Sequence, residues 1–355
     1  MKSEKIDISG KGFRYQALVG AGLMEKAGEL IRERVAISDC AIIADENSAR
    51  LFEAPVRNSL VEQGFQPLTI VISPGENSKS LREVERICDK MIAAGLDRTS
   101  FILGLGGGVV GDISGFVASI FHRGIPHIQI PTTLLAMIDS AIGGKTGVNV
   151  KLGKNLIGAF HHPSLVIADV DALDSLPPQE LRQGYAEIIK HGIIRDAEML
   201  RHLRDRKTTD CAKLICRNIT IKAQIVSKDD REVSGERAVL NFGHTIGHAI
   251  ERAANFEVPH GDCVSLGMVA ACHVSMKRAG LSAAERDQVV ELLQKFDLPT
   301  QLPRQIPRRQ ILETIRRDKK FERGEIRFVV ASRLGRARVS REVTMEDLGE
   351  AIGQL

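Results

Sequence analysis

The chain of 355 residues has no tryptophan, two tyrosines and only 4% aromatic residues. Modules for single strands or RNA stack bases on aromatics set among basic residues, so this scarcity argues against that class. The net charge of +4 is too small for a nucleic-acid footprint, and no basic stripe replaces it. No apolar run approaches the roughly 20 residues of a membrane-spanning helix, which argues against a membrane location. Residues 1–9 carry charge but no apolar h-region and no small-residue cleavage site, so a cytoplasmic chain is expected. The six cysteines (Cys40, Cys88, Cys211, Cys216, Cys263, Cys272) form no C-x-x-C pair. Without an export signal they read as reduced thiols rather than a disulfide frame.

What is present is a globular balance, 43% hydrophobic and 26% charged, in a chain long enough for two domains. Short apolar runs at 40–44, 68–72, 101–105, 127–131 and 165–169 read as buried strands. Between the second and third, Leu81, Val84, Ile87, Cys88, Met91 and Ile92 recur at helical spacing. Continuous apolar strands alternating with helices predict a parallel, doubly wound α/β sheet over residues 1–175. After Pro177-Pro178, helical periodicity dominates at 179–194, 200–228, 238–255, 263–279, 283–296 and 308–319. Only 325–331 and 337–339 read as strand there, so residues 176–355 are expected to form a mainly α-helical domain.

The segment Gly104-Leu105-Gly106-Gly107-Gly108-Val109-Val110-Gly111-Asp112 leaves a strand and opens a helix. Such a turn lets backbone approach a phosphate, and the helix start adds free N–H groups and a positive dipole end. It is a candidate dinucleotide site, although it lacks the usual G-x-G-x-x-G spacing and a plain tight turn is the alternative. Asp45 ends the first apolar strand, where a carboxylate meets ribose hydroxyls or caps the next helix. Gly143-Gly144-Lys145-Thr146 is not a phosphate loop, because Asp139 stands where that pattern needs glycine.

His244 and His248 lie at i and i+4 on one helix face, and His260 follows in Pro259-His260-Gly261. A catalytic zinc site takes three N/O ligands, and Thr245 after His244 removes the metalloprotease base. Glu187 is a candidate carboxylate partner that sequence cannot bring near. Basic residues beside glycine turns, Arg123, Lys145 and Lys154, together with Lys190, Lys222, Arg237, Lys319 and Lys320, suit a phosphate or carboxylate ligand.

GGGVVGD at 106–112, PTTLLA at 131–136, Asp139-Ser140, GGKT at 143–146, GKNLIGAF at 153–160, AEIIK at 186–190 and LNFGHTIGHAIE at 240–251 resemble the 3-dehydroquinate synthase family of sugar-phosphate cyclases. The resemblance covers about residues 10 to 340. It implies a Rossmann-like NAD-binding α/β domain, a helical metal-binding domain and a homodimer. The activity implied is conversion of 3-deoxy-D-arabino-heptulosonate 7-phosphate to 3-dehydroquinate and phosphate in the shikimate pathway to aromatic amino acids. Glu187, His244 and His260 match the family's Zn²⁺ or Co²⁺ ligands, which makes His248 a neighbour of the metal. Asp45, Glu76, Lys79, Gly107, Gly108, Val109, Val110, Gly111, Asp112, Thr132, Thr133, Lys145, Lys154, Ala172, Leu173, Asp174 and Ser175 match NAD contacts.

By the same resemblance, Lys145, Lys154, Lys190, Arg237, Asn241 and His248 match catalytic positions. Arg123, Asp139, Asn155, Lys222 and one of Lys319 and Lys320 match substrate contacts. Arg123, Lys145, Asn155 and Asn241 are expected to hold phosphate; Lys154, Lys190, Lys222 and Arg237 the carboxylate and hydroxyls; and His248 to relay protons. Pro74 and Ser78 depart from residues that some members carry. A sister cyclase acting on another sugar phosphate and a metal-dependent NAD polyol dehydrogenase are the alternatives. The set of anion-binding residues argues against the second.

Overall fold

The computed structural model describes residues 3–205, 210–319 and 326–355, with the side chains of Asp318 and Lys319 excepted. The chain runs β1 (Glu4–Gly10), β2 (Phe13–Gly20), α1 (Ala27–Arg32), β3 (Asp39–Asp45), α2 (Glu46–Ser48), α3 (Ala54–Glu62) and β4 (Gln66–Ile72). It continues through α4 (Leu81–Ala93), β5 (Phe101–Gly106), α5 (Gly108–Ile120), β6 (His127–Pro131), β7 (Lys145–Val150), β8 (Gly153–Phe160) and β9 (Leu165–Asp169). Helices α6 (Pro178–Arg195), α7 (Ala197–Asp205), α8 (Cys211–Lys228), α9 (His244–Ala253), α10 (His260–Ala279), α11 (Ala283–Lys295) and α12 (Arg308–Lys319) follow. Strands β10 (Phe328–Arg333) and β11 (Arg336–Ser340) and helix α13 (Met345–Gly353) end it.

Contacts divide the chain into two units, Met1–Pro177 with Asp210–Arg231, and Pro178–Thr209 with Glu232–Leu355. The segment Asp210–Arg231 therefore groups with the first unit, although the sequence places it in the second half. Its helix α8 packs on β1 and β2 of that unit. Helical periodicity says that α8 has an apolar face but not which surface covers it.

In the first unit a seven-stranded sheet has the order β1-β2-β9-β6-β5-β3-β4. Every pairing is parallel except β1 with β2. The five expected strands form its middle and one edge, and β5 is buried at every residue, as an uninterrupted apolar run requires. The β1–β2 hairpin went unread, though Gly10-Lys11-Gly12 between alternating Ile6/Ile8 and Phe13/Tyr15 is a hairpin pattern. Helix α4 buries Val84, Ile87 and Met91, each worth about 1.5–3 kcal/mol, and leaves Leu81 and Ile92 exposed at its flanks. From β3 the chain moves outward to β4, then returns to place β5 on the other side of β3. That reversal makes the carboxyl ends of β3 and β5 the switch point where ligands bind in open parallel sheets.

Among the described residues of the second unit, regular structure is helical apart from the β10–β11 hairpin. The expected helix at 238–255 begins only at His244, because Gly243 takes φ +79, the left-handed region, and interrupts it. Helix α10 is the hub, packing against α6, α9, α11, α13 and β10. At its crossing with α9, a Cβ on Gly267 would stand 2.0 Å from the Gly243 carbonyl oxygen, and one on Gly247 would stand 2.9 Å from the Cys263 oxygen. Glycines here let two backbones touch.

Candidate metal and dinucleotide site

In the first unit the residues expected to contact NAD gather at the carboxyl edge of the sheet. Asp45 ends β3, Gly107 caps α5 after β5, and Thr132 and Thr133 follow β6. Ala172, Leu173, Asp174 and Ser175 lie in the turn Val170–Ser175 after β9. None of Gly104, Gly106, Gly107, Gly108 and Gly111 has positive φ, so space explains them. A Cβ on Gly106 would lie 2.6 Å from Val110 Cγ2, and one on Gly111 would lie 2.8 Å from Gln129 Oε1. Gly107 and Gly108 are less crowded, facing Thr133 and Ser140 at 3.2 Å, and they start the helix whose free N–H groups suit an anion. Asp45 Oδ1 accepts from the backbone N–H of Asn47 and Ser48, both at 2.9 Å, so this carboxylate caps α2.

Lys79 is 4% exposed and pairs with Asp112 at 2.5 Å. Burial raises the Asp112 pKa, and Lys79 opposes that rise. Glu76 accepts from Asn149 Nδ2 at 2.6 Å, and Asn149 Oδ1 accepts from the backbone of Asn155 at 3.0 Å. These bonds tie the β7–β8 hairpin, which carries Lys145 and Lys154, to the loop after β4. Asn155 itself sits at φ +56. Lys222 on α8 donates to the Asp139 carbonyl at 2.6 Å and pairs with its carboxylate. Arg123 is the exception. It follows α5 and precedes β6, at the amino edge of the sheet. Thirteen helical residues, about 20 Å, separate it from the glycine turn, so it does not join the carboxyl-edge group of its own unit.

In the second unit three helices bring Glu187, His244 and His260 together. Glu187 on α6 is fully buried, and its Oε1 faces His244 Nε2 at 3.4 Å and His260 Nε2 at 3.7 Å. Neither contact has hydrogen-bond geometry, and Oε1 makes no hydrogen bond. Two ligand atoms, each about 2.1 Å from a tetrahedral ion, lie about 3.4 Å apart. The orphaned, buried Oε1 between two imidazole nitrogens therefore fits a divalent cation. Lys190, one turn on, pairs with Oε2. His248 completes a cluster with His244 and His260 in which nitrogens lie within 4.8 Å of one another, leaving it as the alternative nitrogen. Arg237 is buried nearby in sequence, and Asn241, exposed, donates to Glu232 at 3.4 Å. Lys320 and the Lys319 side chain lie outside the described residues.

Electrostatics follow from this packing. Burial alone would raise the Glu187 pKa, but Lys190 and then His244 outweigh it and hold the carboxyl well below its usual range. Burial pulls His260 down, but Glu187 and Glu251 reverse this and raise it to about 9. A metal bound there would displace a proton. His248 is exposed at the surface of the cluster, and what hydration it loses, together with His244 and His260, lowers its pKa, so its ring is neutral at pH 7.

Sequence reasoning missed three groups that shape this site. Glu251 lies behind His260 Nδ1 at 3.7 Å. Gln183 and Asp262 join α6 to the start of α10, with Gln183 Nε2 donating to Asp262 Oδ1 at 3.1 Å. The available signals were Glu251 seven residues after His244 and Gln183 four before Glu187, both on the faces already singled out.

A sequence model described as the 3-dehydroquinate synthase N-terminal domain matches residues 69–183, and the C-terminal model matches 184–321. A 3-dehydroquinate synthase of Symbiobacterium thermophilum is 44% identical over 341 residues, 93% of this chain and 95% of that one. One from Thermodesulfovibrio yellowstonii is 41% identical over 359 residues, 99% of this chain and 100% of the relative. Among solved structures, a 2-epi-5-epi-valiolone synthase from Streptomyces hygroscopicus subsp. jinggangensis, with NAD⁺ and Zn²⁺ bound, superposes with a TM-score of 0.87 at 27% identity. That superposition covers 97% of each chain. The chain belongs to the 3-dehydroquinate synthase family.

Proposed function

We propose that the chain is a carbon–oxygen lyase that converts 3-deoxy-D-arabino-heptulosonate 7-phosphate into 3-dehydroquinate and inorganic phosphate, with NAD and Zn²⁺ or Co²⁺ as resident cofactors. The observation that carries this reading is the buried Glu187 Oε1, without a hydrogen bond between His244 and His260. When bound, NAD takes up and returns a hydride while the ion polarises neighbouring substrate oxygens.

The chain's own residues supply the rest. The N–H groups at the start of α5 and its dipole hold the NAD pyrophosphate. The Thr132 and Thr133 hydroxyls and the turn Val170–Ser175 line the same edge, and Glu76, Lys79 and Asp112 fix the adjoining loop. Lys145, Lys154 and Asn155 on the hairpin supply cations and an amide for phosphate and carboxylate. Asp139 and Lys222 hold each other in place for the same task. Lys190, Arg237 and Asn241 do this in the second unit, and His248, beside His244 and His260, relays protons. Arg123 is omitted because of its place at the opposite edge.

The test is incubation with NAD⁺, Zn²⁺ and the heptulosonate phosphate. The expected result is release of one phosphate per 3-dehydroquinate with no net NADH. Accumulating NADH would assign a dehydrogenase instead. Phosphate released only from a sugar phosphate without the carboxylate would assign a sister cyclase. The reading also carries a cytoplasmic location and a homodimer; no helix among the described residues is long and apolar enough to cross a membrane. Sedimentation at about twice the monomer mass checks the dimer.

A further inference from the structure

We propose that Gln183 is a positioning residue for the metal centre: its amide locks the start of α10 onto α6 so that His260 faces Glu187. The inference rests on the reading of Glu187 and His260 as ligands. Gln183 and Glu187 are four apart on α6 and so share one face of that helix. Across from them, His260, Gly261 and Asp262 begin α10.

The Gln183 side chain is buried and uses both ends of its amide. Oε1 accepts the Gly261 backbone N–H, one of the donors that a helix start leaves without an intrahelical partner. Nε2 donates to Asp262 Oδ1 at 3.1 Å, and Arg182 Nη2 donates to Asp262 Oδ2 at 2.9 Å. Asp262 is 8% exposed, so its charge is held by these two donors rather than by water. A Cβ on Gly261 would stand 2.8 Å from the Gln183 Cα, so the two backbones are in contact at this point. The residue after His260 is therefore fixed to α6 one turn before Glu187. Without the amide, the buried Gly261 N–H and the Asp262 carboxylate each lose a partner, and the helix start must shift to find others. A ligand set tolerates only about 0.2 Å of such movement.

The polarity of the amide provides the test. In Gln183→Glu, an oxygen still accepts from Gly261, but the other confronts Asp262 with no hydrogen between them. Adding Asp262→Asn restores a donor across the gap and the original net charge. Zn²⁺ dissociation constants would be measured by competition with a chromophoric chelator, and NAD⁺ binding by calorimetry. Gln183→Leu and Gln183→Glu are expected to weaken Zn²⁺ binding by about 10–100-fold with NAD⁺ affinity unchanged, while the metal-free protein stays folded and melts a few degrees lower because buried polar groups lose a partner. The double variant Gln183→Glu/Asp262→Asn should return to within about threefold of wild type, a rescue that mere filling of space would not produce. Wild-type Zn²⁺ affinity in Gln183→Leu, or a double variant no tighter than Gln183→Glu, would overturn the inference. If Gln183→Leu does not fold, the comparison of Gln183→Glu with the double variant decides. A wild-type chain that binds no Zn²⁺ would overturn the underlying reading and this inference together, whereas a binding wild type with indifferent variants overturns only the inference.

Discussion

Substituting Gly267 by alanine pits two effects of known size against each other. Inside a helix, glycine to alanine ordinarily stabilises by about 0.5–1 kcal/mol, because alanine loses less backbone freedom on folding. At Gly267 in α10 the new Cβ would lie 2.0 Å from the Gly243 carbonyl oxygen and 2.8 Å from the Gly247 nitrogen. Those are backbone atoms of the α9 region and cannot rotate away. Reaching ordinary contact at 3.4 Å requires α9 and α10 to part by roughly 1.4 Å. Overpacking of this kind costs about 1–3 kcal/mol and occasionally more, so the clash wins by about 1–2 kcal/mol. At about 2–4 °C per kcal/mol for a unit of 150–250 residues, the melting temperature should fall by roughly 3–6 °C. The same movement carries His244 away from His260 by several times the tolerance of a metal site, so Zn²⁺ affinity should fall at least about tenfold. Gly349 in α13 is the control. A Cβ there meets only Leu312 Cδ1 at 3.9 Å, so Gly349→Ala should gain the propensity term and melt about 1–4 °C higher. Differential scanning calorimetry and chelator competition read both quantities. The reasoning fails if Gly267→Ala melts at or above wild type and binds Zn²⁺ equally well.

Removing a proposed ligand should be harsher than disturbing one. His260→Ala and Glu187→Gln are expected to lose at least about 100-fold in Zn²⁺ affinity while remaining folded, as checked by metal analysis after dialysis and by circular dichroism. At Asp347, burial would raise the carboxyl, but Arg278, Lys277 and the Thr344 cap hold its pKa well below normal. A depressed carboxyl stabilises above its unfolded pKa of about 3.9 and loses that contribution as pH falls toward the folded value. Urea titrations of wild type and Asp347→Asn should therefore differ at pH 7 and converge below about pH 4; parallel curves down to pH 2 would contradict this. Lys79→Met removes the cation that opposes burial of Asp112, whose pKa should rise further. A raised carboxyl costs stability once ionised, so the deficit should grow as pH climbs from 4 to 8. It should reach at most about 3 kcal/mol, the low end for a buried pair, because Asp112 keeps 19% exposure.

Much of the first unit was legible because its signals are local. The apolar runs at 40–44, 68–72, 101–105, 127–131 and 165–169 appear as β3, β4, β5, β6 and β9, displaced by no more than two residues at either end. Five apolar residues bounded by turn residues are too short for a buried helix and read as a strand buried on both faces. The glycine turn was legible as a turn, and the His244/His248 pair as one helix face, since both follow from spacing within a single element. The β7–β8 hairpin was not, because GKT and GKN read as loop chemistry rather than as alternation. Arg123 matches a substrate contact by resemblance and lies near Lys145 in sequence, yet within its own unit α5 carries it to the opposite edge of the sheet, which no local pattern records.

By itself, then, the sequence determined the parallel strands, the turn that opens α5 and the helical character of the second half, since each depends on a local signal: a short apolar run, a glycine cluster at a strand end, or a 3.6-residue period. Resemblance named Glu187 as the partner of two histidines, but nothing in the spacing of residues 187, 244 and 260 says that they meet. Only the tertiary structure decided that. Glycines at 243, 247 and 267 let α9 and α10 touch, Gly261 lets α10 touch α6, and together these crossings leave the Glu187 Oε1 facing two imidazoles. Which helices cross, and how closely, depends on packing between segments far apart in the chain, and no local pattern records it.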